Sequence, residues 1–287
     1  MKTSDIISHA DMMAAAAKQL RAAAIESPRR EARLLLAYVM NVSQEDIMAG
    51  RLPLATHKDA LAYKVVVDRR RRREPLAYIV GRREFWSLDF AVGPGVLIPR
   101  PESELLVEQA LKHFPDSNAP LRVLDLGTGS GCLLLSFLSE RPNAQGLGVD
   151  LSEAALTIAE KNAASLGLSG RASFQRSDWL ENVSGTFDVI LINPPYIAET
   201  AIGGLQPEVA TYEPAPALYA GSDGLDAYRV IASSLRERMA AGGHAFLEVG
   251  QGQAPAVDAL LSGQGLLVEG TVCDLAGIPR CVIAARA

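Results

Sequence analysis

One stretch limits the fold more than any other. Val123-Leu124-Asp125-Leu126 leads straight into Gly127-Thr128-Gly129-Ser130-Gly131, after which Cys132 opens an apolar, helix-forming run. A short, mostly apolar segment that stops at glycines reads as a buried strand, and a glycine turn lets a helix begin directly behind it. Strand, turn and helix in that order make the first crossover of a parallel sheet. The remainder from Pro101 onward keeps the alternation. Strands are expected at Leu121–Leu126, Gly146–Asp150, Ala172–Gln175, Asp188–Ile192, Gly243–Val249, Gly265–Thr271 and Arg280–Ala284. The last two are closely spaced, so the expectation is an α/β, Rossmann-like sheet of seven strands, mostly parallel, with an antiparallel last strand.

The first part of the chain has a different pattern. Ser4 to Ile25 is alanine-rich and helical in character, and Ser27-Pro28 offers a serine cap and a first-turn proline for a second helix. Ser43 with Asp46 has the form of a capping box before a short third helix. Lys58 to Arg73 supplies a further helix that Glu74-Pro75 ends. The alternating segment Glu84 to Phe90, then Gly93-Pro94-Gly95 and Val96-Leu97-Ile98, reads as a β-hairpin linker. The expected organisation is a small helical bundle over residues 1–75, a hairpin linker over 76–100 and the sheet domain over 101–287.

Composition narrows the classes. Hydrophobic residues make up 48% of the chain and both charge signs are present, as in a globular protein with a full core. No run has the apolar length of a membrane span, and Met1–Arg21 lacks the basic start and apolar centre of a signal peptide. Cys132, Cys273 and Cys281 are odd in number and lack metal-type spacing, so neither a disulfide nor zinc is expected and the cytoplasm fits. A net charge of −5 argues against indiscriminate grip on nucleic acid. His9, His57, His113 and His244 are scattered in the sequence and read as structural, with no metal site.

Three constellations carry chemistry. The glycine turn from Gly127 through Gly131 lets backbone approach a ligand, and Asp150 ends the next strand, where an acid accepts from a ribose diol. Cys132 occupies the last glycine position of a dinucleotide fingerprint, and Asp125 before the turn suits an amine-bearing cofactor rather than a pyrophosphate. Both features point to S-adenosyl-L-methionine over NAD. Asp178-Trp179 follows the third strand, where the acid can meet an adenine amine and the indole its ring; a capping acid and a core tryptophan are the alternative. Asn193-Pro194-Pro195-Tyr196 follows a buried strand and combines a side-chain amide, a free carbonyl and an aromatic face. That set can hold a planar NH2 group, either a carboxamide or the exocyclic amine of adenine. If Asn193 and the Pro194 carbonyl accept from this nitrogen and Tyr196 covers its plane, alignment against a sulfonium methyl supplies most of the rate. The run Arg69 to Arg73 reads first as a solvated helix end, and second as a docking patch for an acidic or RNA-bearing partner.

Nearly the whole chain resembles the HemK family, class I methyltransferases that modify the glutamine side-chain nitrogen of peptide chain release factors. The resemblance runs through Pro75 to Gly81, Glu84-Phe85-Trp86, Leu97 to Glu104, Glu213-Pro214, Asp223 to Asp226, and Leu247 to Gly250 followed by Gln253. Ser103 stands where the family usually has threonine. The resemblance implies S-adenosyl-L-methionine at Gly127, Thr128, Gly129, Ser130, Gly131, Asp150, Trp179 and Asn193, beside the Asp178 read above, with S-adenosyl-L-homocysteine as product. It implies the substrate glutamine at Asn193 to Tyr196, with Asn193 and Pro194 catalytic. It further implies the Gly-Gly-Gln loop of a class 1 release factor as substrate, engaged by the helical module, and a monomeric enzyme with no direct nucleic-acid or membrane partner. The rivals are an adenine N6 methyltransferase on DNA or RNA, a non-catalytic cofactor-binding module and, third, an NAD dehydrogenase.

Overall fold

The computed structural model describes residues 8–286. By its internal packing the chain divides into two units, Met1–Gly81 with Gln206–Tyr212, and Arg82–Leu205 with Glu213–Ala287. The division thus falls at Gly81 rather than at residue 75 or 100, and a short segment far along the chain joins the helical unit.

In the helical unit, α1 (His9–Ala22) starts at Ser8, whose hydroxyl accepts from the Asp11 N–H. The expected start at Ser4 lies outside the described residues. In α2 (Pro28–Met40) Ser27 occupies the cap position but makes no side-chain capping bond, so Pro28 with its preset φ begins the helix. Before α3 (Gln44–Met48), Ser43 accepts from the Asp46 N–H, while its own proton goes to the Asp46 carboxylate. The complete capping box is instead Thr56 with Asp59 at the start of α4 (His57–Arg71). With α5 (Leu76–Val80), these helices enclose Leu20, Leu35, Leu36, Tyr63, Val67 and Ile79.

The arginine run bears out the solvated helix end only in part, since Arg71 and Arg72 are exposed while Arg70 is buried. Arg70 is buried and pairs with Glu31 and Glu208, and Arg73 pairs with Glu208 and donates to the Ala23 and Ala24 carbonyls. Arg69 pairs with Glu74 and Arg71 with Asp68. The acids come from separate parts of the chain, so the positive run is largely neutralised inside its own unit.

The second unit opens with an antiparallel hairpin, β1 (Arg82–Phe85) and β2 (Leu88–Ala91). Its turn residues Trp86 and Ser87 both have positive φ, 54° and 57°, the geometry in which Asn-Gly is favoured. Three hydrogen bonds hold it: Trp86 N–H to Glu104, the Trp86 indole to Glu140, and Ser87 N–H to Glu84. Val96-Leu97-Ile98 forms no strand; it runs as an irregular segment.

There follow α6 (Glu104–His113), β3 (Arg122–Leu126), α7 (Cys132–Glu140), β4 (Gln145–Asp150), α8 (Glu153–Ser165), β5 (Ala172–Arg176) and β6 (Phe187–Ile192). The chain continues through α9 (Pro207–Tyr212), α10 (Asp226–Arg238), β7 (Met239–Glu248), α11 (Ala254–Gly263), β8 (Leu266–Cys273) and β9 (Pro279–Arg286). The sheet has seven strands in the order β5-β4-β3-β6-β7-β9-β8, parallel except that β9 runs antiparallel to both β7 and β8. Side chains alternate between two cores. Val123, Val189, Leu191 and Phe246 pack with α6, α7 and α8, while Leu124, Ile190, Ile192 and Leu247 pack with α10 and α11. Burial on both faces explains why these strands read as nearly unbroken apolar runs.

Candidate active site

Strands β3, β4 and β5 step outward in one direction, and β6 and β7 in the other. Loops leaving the carboxyl ends of β3 and β6 therefore part, and an open α/β sheet presents its crevice there. A cavity of about 750 Å³ occupies the place, lined by the glycine turn, Asp150, Asp178, Trp179, Asn193, Pro195 and the segment from Gly95 to Arg100 without Ile98. This volume suits a nucleoside-sized ligand carrying an extended substituent.

Gly127, Gly129 and Gly131 have φ values of 70°, 54° and 79°, a region closed to most side chains. Gly127, Thr128, Gly129 and Ser130 line the cavity. Gly131 does not; a Cβ there would lie 3.1 Å from Leu135 and 3.3 Å from Ala159, so its absence lets α7 pack on α8. Asp125 also differs from expectation. It is only 1% exposed, stands outside the cavity lining, and accepts at Oδ2 from the Thr128 hydroxyl at 2.7 Å and the Leu134 N–H at 3.3 Å. Burial pushes its carboxyl up to about 7, against those two hydrogen bonds. Its work is to lock the turn rather than to meet a ligand.

Asp150 accepts from the Gly129 N–H and the Ser152 N–H, each at 2.9 Å, so one carboxylate joins the glycine turn to the head of α8. Asp178 is exposed at the cavity wall and Trp179 is half-buried, lining the cavity while packing on the core beneath. The indole thus packs on the core, as the second reading expected, and also forms part of the cavity wall. Trp179 has φ +45°, and a bulky residue in the left-handed region costs about 1–2 kcal/mol. Cys132 also lines the cavity, and burial pushes its thiol up to about 12, which removes it as a nucleophile at neutral pH.

The four residues after β6 divide between wall and support. Asn193 and Pro195 line the cavity; Pro194 is buried and Tyr196 half-buried, both just outside the lining. The Asn193 amide donates from Nδ2 to Ser103 Oγ at 3.0 Å, and the Ser103 hydroxyl donates in turn to Glu248 Oε2. The other Glu248 oxygen accepts from the Tyr196 hydroxyl at 3.2 Å. Among the described residues nothing donates to Asn193 Oδ1 or to the Pro194 carbonyl. Burial pushes the Glu248 carboxyl up, while the Ser103 and Tyr196 hydroxyls draw it down. Gln253 completes the frame by donating to the Tyr196 and Gly224 carbonyls while accepting from the Gly250 N–H.

Ser103 and Glu248 were quoted above only as part of a resemblance, without a role. One signal was available in the sequence: Glu248 is an acid inside the apolar run Phe246 to Val249, and a buried carboxylate needs donors. A second missed pair pins the opposite wall. Glu213, 6% exposed, accepts from the Ile98 N–H at 3.1 Å and from Arg100 at 2.6 Å. The scattered histidines are also revised, because His113 and His244 meet with ring centroids 5.2 Å apart.

Residues 11–81 match a family model described as the PrmC N-terminal domain, and residues 101–205 match one described as a methyltransferase small domain. A release factor glutamine methyltransferase of Rhodospirillum rubrum is 44% identical over 268 residues, covering 93% of this chain and 82% of its own. One from Caulobacter vibrioides is 40% identical over 273 residues, covering 95% and 94%. Among solved structures, a methyltransferase from Pyrococcus furiosus is similar in fold, with a TM-score of 0.54 over 76% of this chain and 98% of its own, at 18% identity.

Proposed function

The chain belongs to the release factor glutamine methyltransferases, and from that membership we propose how its cavity carries out the reaction. The protein transfers a methyl group to the side-chain amide nitrogen of a release-factor glutamine. The donor in this reading is S-adenosyl-L-methionine, whose sulfonium supplies an electrophilic methyl and leaves as S-adenosyl-L-homocysteine. The cavity fits such a group: the glycine turn leaves backbone uncovered, and Asp150, Asp178 and the Trp179 indole stand on its wall. In this reading Asp150 accepts from the ribose hydroxyls, Asp178 meets the adenine amine and Trp179 packs on the adenine ring.

The substrate carboxamide is a poor nucleophile because its nitrogen lone pair is delocalised. One observation carries the proposal: the Asn193 Nδ2 is spent on Ser103, which turns Oδ1 into an oriented acceptor with no competing donor among the described residues. The Pro194 carbonyl, likewise without a donor among the described residues, accepts the second N–H. Two acceptors on one NH2 raise electron density at nitrogen and fix its direction, so positioning does most of the catalysis. Tyr196 covers the carboxamide plane while its hydroxyl stays on Glu248. The glutamine is that of the Gly-Gly-Gln loop of a class 1 release factor, the helical unit engages that protein, and the reaction takes place in the cytoplasm as a monomer. No helix among the described residues is long and apolar enough to cross a membrane.

Asn193→Ala tests this. Methyl transfer to release factor is expected to fall about 100- to 1,000-fold, with cofactor affinity changed far less. Wild-type turnover in that variant would place the reacting nitrogen elsewhere.

A further inference from the structure

Away from the cavity, the last turn of α6, the middle of β7 and a bulge in β8 bring three side chains together. His113 Nε2 lies 3.5 Å from Glu269 Oε2, and His244 Nε2 lies 3.3 Å from Glu269 Oε1. All three ligand atoms fall within 4.8 Å of one another. Pairing in β8 shifts between Val268 and Gly270, leaving Glu269 as the bulged residue, and a bulge re-aims the side chain it carries. The carboxylate thereby reaches His244 although β9 lies between β7 and β8.

Proton placement makes this cluster more than a contact. His113 Nδ1 is 2.8 Å from the Gln109 carbonyl, and His244 Nδ1 is 3.1 Å from the Gly242 carbonyl. A carbonyl only accepts, so Nδ1 of each ring carries a proton, and it is Nε2 of each ring that faces Glu269. Deprotonated at Nε2, the two rings offer, together with the carboxylate, three electron-pair donors that converge on one point. Backbone carbonyls holding Nδ1–H are the outer support that metal-binding histidines use. Nitrogen and oxygen ligands about 2.0–2.1 Å from a tetrahedral ion stand about 3.3 Å apart, so the three atoms, within 4.8 Å of one another, need only a small approach to close on an ion. Phe114 and Phe246 flank the imidazoles and provide an apolar side to the site.

We propose that His113, His244 and Glu269 form a tetrahedral site for a zinc-type divalent cation, with water in the fourth position. Its role is a clamp, not catalysis. His113 lies ten residues after Ser103 (113 − 103), about 15 Å along one helix, and His244 lies on the strand that ends in Glu248. Closing the site ties the last turn of α6, the helix that Ser103 caps, to the middle of β7, the strand that ends in Glu248.

The test uses metal-stripped, untagged full-length protein with Cys273→Ser, since Cys273 is an exposed thiol that could bind zinc by itself. Titration with zinc is expected to saturate at one ion per chain and raise Tm. Cobalt(II) is expected to give the intense visible absorption of tetrahedral coordination. His113→Gln, His244→Gln and Glu269→Gln are each expected to weaken binding tenfold or more, with S-adenosylhomocysteine affinity retained as the control for folding. Lack of saturable binding would mean that protonated imidazoles hold the carboxylate, and would overturn the proposal. Binding that survives all three substitutions would overturn it equally, as would an octahedral cobalt spectrum.

Discussion

Ser103 shows how much one hydroxyl decides. It accepts from Asn193 and donates to Glu248, so its two roles are fixed by a carboxylate that cannot donate when ionised. Ser103→Ala would free the Asn193 amide to rotate and present Nδ2 where Oδ1 is needed. kcat is expected to fall roughly 10- to 100-fold with little change in KM for cofactor, and Ser103→Thr to restore it. Asp125 yields a prediction about stability. Burial holds its carboxyl up at about 7 when folded against 3.8 for an exposed aspartate, so between those values the folded state holds a proton that the unfolded chain has released. The stabilising contribution is complete below about pH 4 and is lost as pH rises through about 7. Buried Glu248, also pushed up, acts in the same direction. Denaturation midpoints across this window should fall with pH in the wild type, and Asp125→Asn should flatten the slope. A slope of opposite sign would contradict the burial argument.

At the scale of elements, legibility followed the density of local signals. Seven strands were legible where short runs met glycine or proline, but their order, with its reversal between β3 and β6, is set by long-range packing and was not read from the sequence. The hairpin turn was less readable. Trp86-Ser87 is not a turn pair by composition, and bonds from Glu84, Glu104 and Glu140 hold it in place. Ser87 is exposed and has φ 57°, so Ser87→Gly should relieve strain and raise stability by about 1 kcal/mol. Chemical denaturation checks it; a loss of stability would mean that the hydroxyl contributes more than the backbone costs. Long-range charge was not legible at all. Nothing near Arg70 in sequence announces Glu31 or Glu208, which lie 39 and 138 positions away. The same holds at the site, where Asn193 was evident from its motif but Ser103, 90 positions distant, was not seen as its partner.

For the whole molecule, chemistry rests on one division of labour. The sheet's carboxyl rim supplies a glycine turn and Asp150 on one side and Asn193-Pro194-Pro195-Tyr196 on the other, each set by its own strand end. Two buried acids brace the walls, Glu248 through Ser103 and Glu213 through Arg100, and in the proposed mechanism this bracing lets positioning replace a strong base. The most direct measurement is peptide mass spectrometry of a purified release factor after incubation with this protein and S-adenosyl-L-methionine. The account predicts one added methyl on the side-chain amide of the Gly-Gly-Gln glutamine, nearly absent when Asn193→Ala replaces the wild type. A methyl on any other atom, or equal modification by the variant, would contradict it.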